Sequence, residues 1–236
     1  MMKAMILAAG RGKRMRPLTD ALPKPLLAAG RRRLIDWSLD GLYKAGIREA
    51  VVNIAHLADT FEPILGHERG GMHIEYSREG NCYEESLETL GGIVKALPML
   101  TDGREPFIVV AGDIVSDYDF SSLIARRDSL LSGLAVAHLV LVPNPGFHPE
   151  GDMGLLNGRI TCRPKAYTYS SIGLFSPEIF KNRPVRFEKL FPWLYGFVEK
   201  GLVSGELYTG YWGNIGTPQD LAALEEKERE NRLSSK

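Results

Sequence analysis

Between Leu7 and Leu26 the chain reads Leu-Ala-Ala-Gly-Arg-Gly-Lys-Arg-Met-Arg-Pro-Leu-Thr-Asp-Ala-Leu-Pro-Lys-Pro-Leu. Gly10 and Gly12 can take positive φ and bring backbone N–H groups up to an anion with no Cβ in the way. The backbone of Leu7, Ala8, Ala9, Gly10 and Gly12 is therefore expected to cradle a triphosphate. Arg11, Lys13, Arg14, Arg16, Lys24, Arg31, Arg32 and Arg33 meet one acid, Asp20, between Arg11 and Arg33, although 29 acidic residues balance 29 basic ones in the whole chain. The positive charge is local. Lys24 stands between Pro23 and Pro25, which fix φ and remove donors, so its backbone is a stiff mount. Farther on, Pro106-Phe-Ile-Val-Val-Ala-Gly-Asp ends on Asp113, a carboxylate at the mouth of a sheet. Beside a triphosphate it is well placed to hold Mg²⁺, which prefers carboxylate, phosphate and water oxygens.

The elements that must position these groups alternate along the chain. Ala4 to Ala9 is an apolar run bounded by glycine, the pattern of a strand buried on both faces. A helix is expected from Leu34 to Gly46, then a strand over Ala50-Val-Val-Asn-Ile. Asn53 and His56 lie at or beyond its C-terminal end, where ligands bind in open α/β sheets, although His56 could equally cap the next helix. His73 to Tyr76 alternates like a strand, and a polar loop leads into a helix whose first turns hold Gly91 and Gly92; side chains there would block the approach of a flat base. Asp117 and Asp119 suit capping of a helix around Ser121 to Leu131. Gly133 to Val142 is another apolar strand. A Pro/Gly-rich crossing with Asn144, His148, Glu150, Gly151 and Asp152 follows, then short strands around Met153 to Thr161 and Tyr167 to Phe175, expected to form a smaller sheet beside the main one. Phe187 to about Lys200 reads as a helix, and Thr217, Pro218 and Asp220 open a charged terminal helix to Leu233.

Composition and spacing exclude several classes. The 236 residues suffice for one ample domain, and no apolar run approaches the roughly 20 residues of a membrane span. No segment has the pattern of a targeting signal. Cys82 and Cys162 lack metal-ligand spacing and are too few for a disulfide scaffold, so free thiols in a reducing cytoplasm are expected. Formal neutrality argues against a broad nucleic-acid-binding face. A dinucleotide fingerprint would need glycine where Met15 stands, and a Walker loop needs four residues between its first glycine and Gly-Lys-Ser/Thr.

The opening stretch resembles the signature Gly-x-Gly-x-Arg-Met/Leu-x-Pro-Leu-Thr followed by Pro-Lys-Pro-Leu of the sugar-1-phosphate nucleotidyltransferases. Tyr211-Trp-Gly-Asn-Ile-Gly-Thr-Pro matches that family's closing Trp-x-Asp-Ile-Gly-Thr-Pro, with Asn214 in place of the usual Asp. The resemblance implies an α/β fold: a Rossmann-like mixed, mainly parallel sheet flanked by helices, with a smaller sugar-binding sheet. It also implies a division of labour within a single nucleotidyltransferase domain, nucleotide mainly in residues 1–118 and sugar phosphate mainly in 119–236.

By the same resemblance Arg14, Lys24 and Asp113 are catalytic, and Asp113 with Asn214 would hold Mg²⁺, the amide contributing an oxygen but no charge. Glu85 matches the acid of the base-recognition loop that ends in Gly91 and Gly92; extra length at Asn81 to Glu84 leaves Glu84 as the alternative. Asn144, Asp152, Glu188 and Lys189 would bind the sugar phosphate, while Arg163 carries over only weakly, because Cys162 replaces an acid. The implied partners are an NTP and a sugar-1-phosphate, with no nucleic acid and no membrane. The short chain looks most like the N-acetylmuramate α-1-phosphate uridylyltransferases of Gram-negative cell-wall recycling. Mannose-1-phosphate guanylyltransferases and glucose-1-phosphate thymidylyl- or uridylyltransferases share the motifs, as does the opening signature of phosphocholine cytidylyltransferases. A nucleotide-binding regulatory protein without turnover is the rival from another class.

Overall fold

The computed structural model describes residues 1–80 and 82–234, so Asn81 of the lengthened loop lies outside the described residues. In chain order the strands are β1 (Ala4–Leu7), β2 (Ala28–Ala29), β3 (Arg32–Arg33), β4 (Glu49–Ile54), β5 (Glu68–Arg69), β6 (Met72–Arg78) and β7 (Phe107–Ala111). They continue with β8 (Ile114–Ser116), β9 (Ala137–Pro143), β10 (Gly154–Leu156), β11 (Arg159–Thr161), β12 (Tyr167–Phe175), β13 (Val203–Leu207) and β14 (Trp212–Asn214).

Ten of these form one mixed sheet in the order β10-β11-β13-β9-β12-β7-β1-β4-β6-β5. Its middle is parallel: β1 lies between β4 and β7, and β6 follows β4. Parallel strands finish at one edge, which is where loops converge on a ligand. Along β1 and β4 successive residues face opposite cores, as the pleat requires. Ile6 and Val52 pack with helix α1 (Leu34–Lys44), whereas Met5 and Val51 pack with Leu90 and Ile93 of the helix Glu88–Leu100.

The strands expected to make a smaller sheet belong instead to the large one: β12 pairs antiparallel with both β7 and β9, and β10 and β11 extend the same sheet outward. The separate small sheets are the hairpin β2-β3 and the antiparallel pair β8-β14. The helix expected from Phe187 to Lys200 is two short turns, Leu190–Trp193 and Tyr195–Val198, with Phe191 at φ −104°, ψ 137° before Pro192. An extended residue is what a following proline favours. The region Ser121 to Leu131 likewise divides, into Ser121–Ile124 and Arg127–Leu131, with Asp119 accepting from the Ser121 N–H ahead of the first. No helix among the described residues is long and apolar enough to cross a membrane.

Candidate active site

At the C-terminal edge of the parallel strands lies a cavity of about 490 Å³. Its walls are the loop from Leu7 to Arg14, Lys24, Asn53, Glu79, Asp113, Ser171 and Asn214, among others. The loop leaves β1 and turns at Gly12, whose φ of 63° and ψ of 37° are left-handed. A Cβ there would also sit 2.9 Å from the Thr19 methyl and 3.2 Å from the Lys24 Cβ, so glycine is required for both conformation and space. The Gly12 carbonyl accepts from the Met15 N–H and from the Thr19 hydroxyl, which sets the turn firmly. Gly10 keeps negative φ, contrary to what the sequence suggests, and a Cβ on it would meet nothing within 4 Å.

Lys24, on the short turn Lys24–Leu26, is only 8% exposed. Its Nζ lies 2.5 Å from Asp113 Oδ2. A cation this enclosed is retained because its charge is paired. Asp113 follows β7 directly, and the Ile215 N–H donates to its carbonyl at 3.1 Å. Asn214 stands opposite Ile114 in the β8-β14 ladder, so the ladder delivers Asp113 and Asn214 to one wall. Asn214 Oδ1 is buried and has no hydrogen-bond partner among the described residues. An orphaned buried carbonyl oxygen is costly unless a ligand satisfies it. Arg14 is exposed, rests against Gly216, and makes no hydrogen bond or ion pair among the described residues.

The donor set fits a hard cation. One carboxylate and one amide oxygen leave most positions to phosphate and water, which suits Mg²⁺ better than an all-protein cage, and no cluster of three His, Cys, Asp or Glu exists among the described residues.

At the other end of the cavity the chemistry differs from expectation. Glu85 is exposed and does not line the cavity, and Glu84 lies 3.6 Å from Arg11 in an ion pair. The buried acid that does line it is Glu79, immediately after β6. Its carboxylate accepts from Asn53 Nδ2 at 2.5 Å and from the Leu87 N–H at 2.7 Å. Burial, partly offset by these donors, pushes its pKa above the ordinary carboxylate value. Asn53 Oδ1 in turn takes the Ala8 N–H at 2.8 Å, so that amide is spent within the protein rather than offered to a phosphate. The rule that ligands gather at strand ends singles out Asn53; applied to the next parallel strand it would also have found Glu79.

Gly91 and Gly92 do not border the cavity. A Cβ on Gly91 would lie 2.0 Å from the Arg186 carbonyl oxygen, and one on Gly92 would lie 2.3 Å from Glu79 Oε1. They are small so that the 186–188 segment and Glu79 can pack on the helix, and the Leu90 and Gly91 N–H groups donate to the Glu188 carbonyl. Glu188 itself pairs with Arg183 and Arg186, which hold its carboxyl below its usual pKa. Lys189 is exposed and outside the cavity wall. Asn144 and Asp152 also lie off the wall. Asn144 donates to the Pro149 and Lys165 carbonyls and accepts from Thr168; Asp152 accepts from the Tyr169 N–H and meets His148 Nε2 at 3.0 Å. Both brace the 144–152 crossing. His56 contacts the Thr19 carbonyl at 2.9 Å and supports the loop from behind.

Two further cavity residues have left-handed backbone that the sequence does not announce. Ser171, at φ 63°, sits in a bulge of β12, and Glu88, at φ 59°, opens the helix after the polar loop.

Residues 3–145 match the family model described as nucleotidyl transferase. The chain is 44% identical over 223 residues to the N-acetylmuramate alpha-1-phosphate uridylyltransferase of Neisseria meningitidis, covering 92% of this chain and 94% of that protein. It is 30% identical to the mannose-1-phosphate guanylyltransferase catalytic subunit beta of Danio rerio, covering 93% of this chain and 62% of that one. Among solved structures, a Bacillus anthracis protein described as a glucose-1-phosphate thymidylyltransferase, in complex with a sucrose, superposes with a TM-score of 0.79 at 20% identity, covering 97% of this chain and 96% of that one.

Proposed function

Because the chain belongs to the nucleotidyl transferase family, we propose that it transfers a uridylyl group from UTP to N-acetylmuramate α-1-phosphate, releasing pyrophosphate. An oxygen of the sugar phosphate attacks the α-phosphorus, the bond to the bridging oxygen of the β-phosphate breaks, and pyrophosphate leaves with that oxygen. The attacking oxygen already carries negative charge, so no general base is needed. The work is to align two anions and to neutralise them.

Each residue has a part in that work. The Gly12 turn and Arg14 meet the triphosphate, Arg14 bringing a guanidinium with no competing partner among the described residues. Lys24, fixed by its prolines and by Asp113, presents its charge where the α-phosphoryl group becomes more anionic. Asp113 and Asn214 are the residues that would hold Mg²⁺, which supplies positive charge to the phosphates when bound. Glu79 and Asn53 face the base end of the cavity, and Ser171 faces the opposite end.

The observation that carries the reading is the orphaned Asn214 oxygen beside the Lys24–Asp113 pair on one cavity wall. The identity to the Neisseria protein supports the choice of UTP and N-acetylmuramate α-1-phosphate; a cytoplasmic place in cell-wall recycling belongs to the same proposal. The test is pyrophosphate release by purified protein with Mg²⁺. UTP, GTP, dTTP and CTP are crossed with N-acetylmuramate-, mannose-, glucose- and N-acetylglucosamine-1-phosphate and phosphocholine. A dominant signal for UTP with N-acetylmuramate α-1-phosphate is expected. A different dominant pair would reassign the substrates, and silence with nucleotide binding intact would favour the regulatory alternative.

A further inference from the structure

The cavity wall at the Glu79 end is a turn that does not hold itself. Glu79, Ser86, Glu88 and Thr89 line it. Glu88 has a left-handed φ of 59°, a conformation that a residue with a Cβ keeps only where its surroundings impose it. No side chain caps the helix Glu88–Leu100 that begins there.

The restraint comes from far along the chain. The Glu188 N–H donates to the Leu87 carbonyl at 3.0 Å, and the Glu188 carbonyl takes the Leu90 and Gly91 N–H groups at 3.0 and 3.2 Å. Residues on both sides of Glu88 are thus bonded to the backbone of one residue. Gly91 lets the 186–188 segment lie this close, since a Cβ there would meet the Arg186 carbonyl oxygen at 2.0 Å. The segment is fixed in turn by the Glu188 carboxylate, which accepts from Arg183 at 2.6 Å and from Arg186 at 2.9 Å. Arg183 lies over the Trp193 ring at 4.8 Å, and Trp193 packs on the buried Phe180. With side chains 21% and 24% exposed, the Arg183–Glu188 pair is screened less than the pair with Arg186, which is 60% exposed.

From Leu87 the connection continues into the site. The Leu87 N–H donates to Glu79, Asn53 Nδ2 donates to the other oxygen of Glu79, and Asn53 Oδ1 accepts from the Ala8 N–H. One chain of hydrogen bonds therefore joins Arg183 to the loop that follows β1.

We infer that Glu188 is a positioning residue for the nucleotide: paired with Arg183, it presses the 186–188 segment against the start of the helix Glu88–Leu100 and so holds Leu87, Glu88 and Glu79 in the arrangement that receives the NTP, without touching the acceptor. This rests on the nucleotidyl-transfer reading above, and it moves Glu188 from the acceptor end, where resemblance puts it, to the nucleotide end.

The wild type, Glu188→Gln and Glu188→Ala are compared by steady-state KM for each substrate, by calorimetric Kd for UTP with Mg²⁺, and by amide hydrogen exchange without substrates. If the substrate matrix returns another NTP, that one replaces UTP. Freed from the segment, the turn is competent for only part of the time, and apparent affinity falls by that fraction. Glu188→Ala should raise the NTP KM and Kd about tenfold, and Glu188→Gln, which keeps one acceptor oxygen for Arg183, about threefold, with the acceptor KM within about twofold of the wild type. The Leu87, Leu90 and Gly91 amides should exchange about tenfold faster in Glu188→Ala, while those of β1 and β7 keep their protection. An acceptor KM that rises while the NTP KM stays constant would put Glu188 on the sugar phosphate and overturn the inference. Unchanged NTP affinity and amide protection in a folded Glu188→Ala would do the same, as would a uniform loss of protection with both KM values raised together. If the wild type turns over no sugar phosphate, the transfer reading fails by itself, and calorimetry and exchange still decide the role of Glu188.

Discussion

Replacing Asn214 with Asp adds a full negative charge to the wall that already holds Asp113. The two residues are neighbours through the β8-β14 ladder, and the Asn214 oxygen is the one that lacks a partner. At about 5 Å and an effective dielectric constant of about 20, two carboxylates repel by about 3 kcal/mol. Lys24 at 2.5 Å from Asp113, and the one-quarter exposure of the Asp113 side chain, reduce that to about 1–2 kcal/mol. For a chain of 236 residues this lowers the melting temperature without metal by about 2–8 °C. The same added charge strengthens cation binding. The Mg²⁺ concentration giving half-maximal pyrophosphate release should fall about tenfold, equivalent to about 1.4 kcal/mol. Saturating Mg²⁺ should then recover the lost melting temperature, since a ligand at 100 times its Kd stabilises by about 2.7 kcal/mol. Melting curves with and without Mg²⁺, beside a Mg²⁺ titration of initial rates, decide the matter. If the metal-free melting temperature and the half-saturating Mg²⁺ both match the wild type, Asn214 does not face a cation and the reasoning fails.

Lys24→Met removes the enclosed cation and should lower kcat/KM about 10²–10³-fold, as expected for one electrostatic contact to a developing charge. Lys24→Arg should recover only part of this, because the slot admits a side chain 8% exposed and no wider group. Losses under tenfold in both variants, with melting curves intact, would remove Lys24 from the chemistry. Glu206, held by His138 Nε2 at 3.5 Å and by the Tyr118 hydroxyl, has its pKa lowered from 4.5 to about 2, chiefly by the His138 interaction. A lowered carboxylate pKa stabilises the fold above pH 4.5, and that stability disappears as pH falls from 4.5 to about 2. After discounting for solvent, the effect is about 2 kcal/mol. Wild type minus Glu206→Gln stability, measured by urea melts from pH 6 down to about 2, should therefore shrink across that window; a difference independent of pH would contradict it.

The loop that lines the cavity after β1 is legible because its signals are local: an apolar strand, a glycine that must be left-handed, and a lysine between prolines. Asp113 was legible for a similar reason, as the polar end of an apolar run. Residues whose role depends on pairing were not. Glu79 reaches the cavity wall because β6 lies beside β4 and Asn53 reaches across, whereas Glu85 lies off that wall although it stands nearer the helix in the chain. Asn144 and Asp152 are singled out by resemblance alone, and in the fold their polar atoms make hydrogen bonds that hold the 144–152 crossing. Ser171 depends on a register shift in β12 that no periodicity announces. The strands beyond Met153 join the large sheet because β12 inserts between β7 and β9, a long-range choice that alternating apolar residues leave open.

Glu79 also ties off a loop. One carboxylate oxygen receives Asn53 and the other receives the Leu87 N–H, so the chain that departs after β6 is pinned again just before the helix begins. Its two ends are fixed by the same side chain, and widening the span between them adds only a slowly growing entropy. Natural or designed variants can therefore exchange residues 81–86 for longer or shorter inserts while the helix and the phosphate loop keep their places. The segment is a graft point, held at both ends by one side chain.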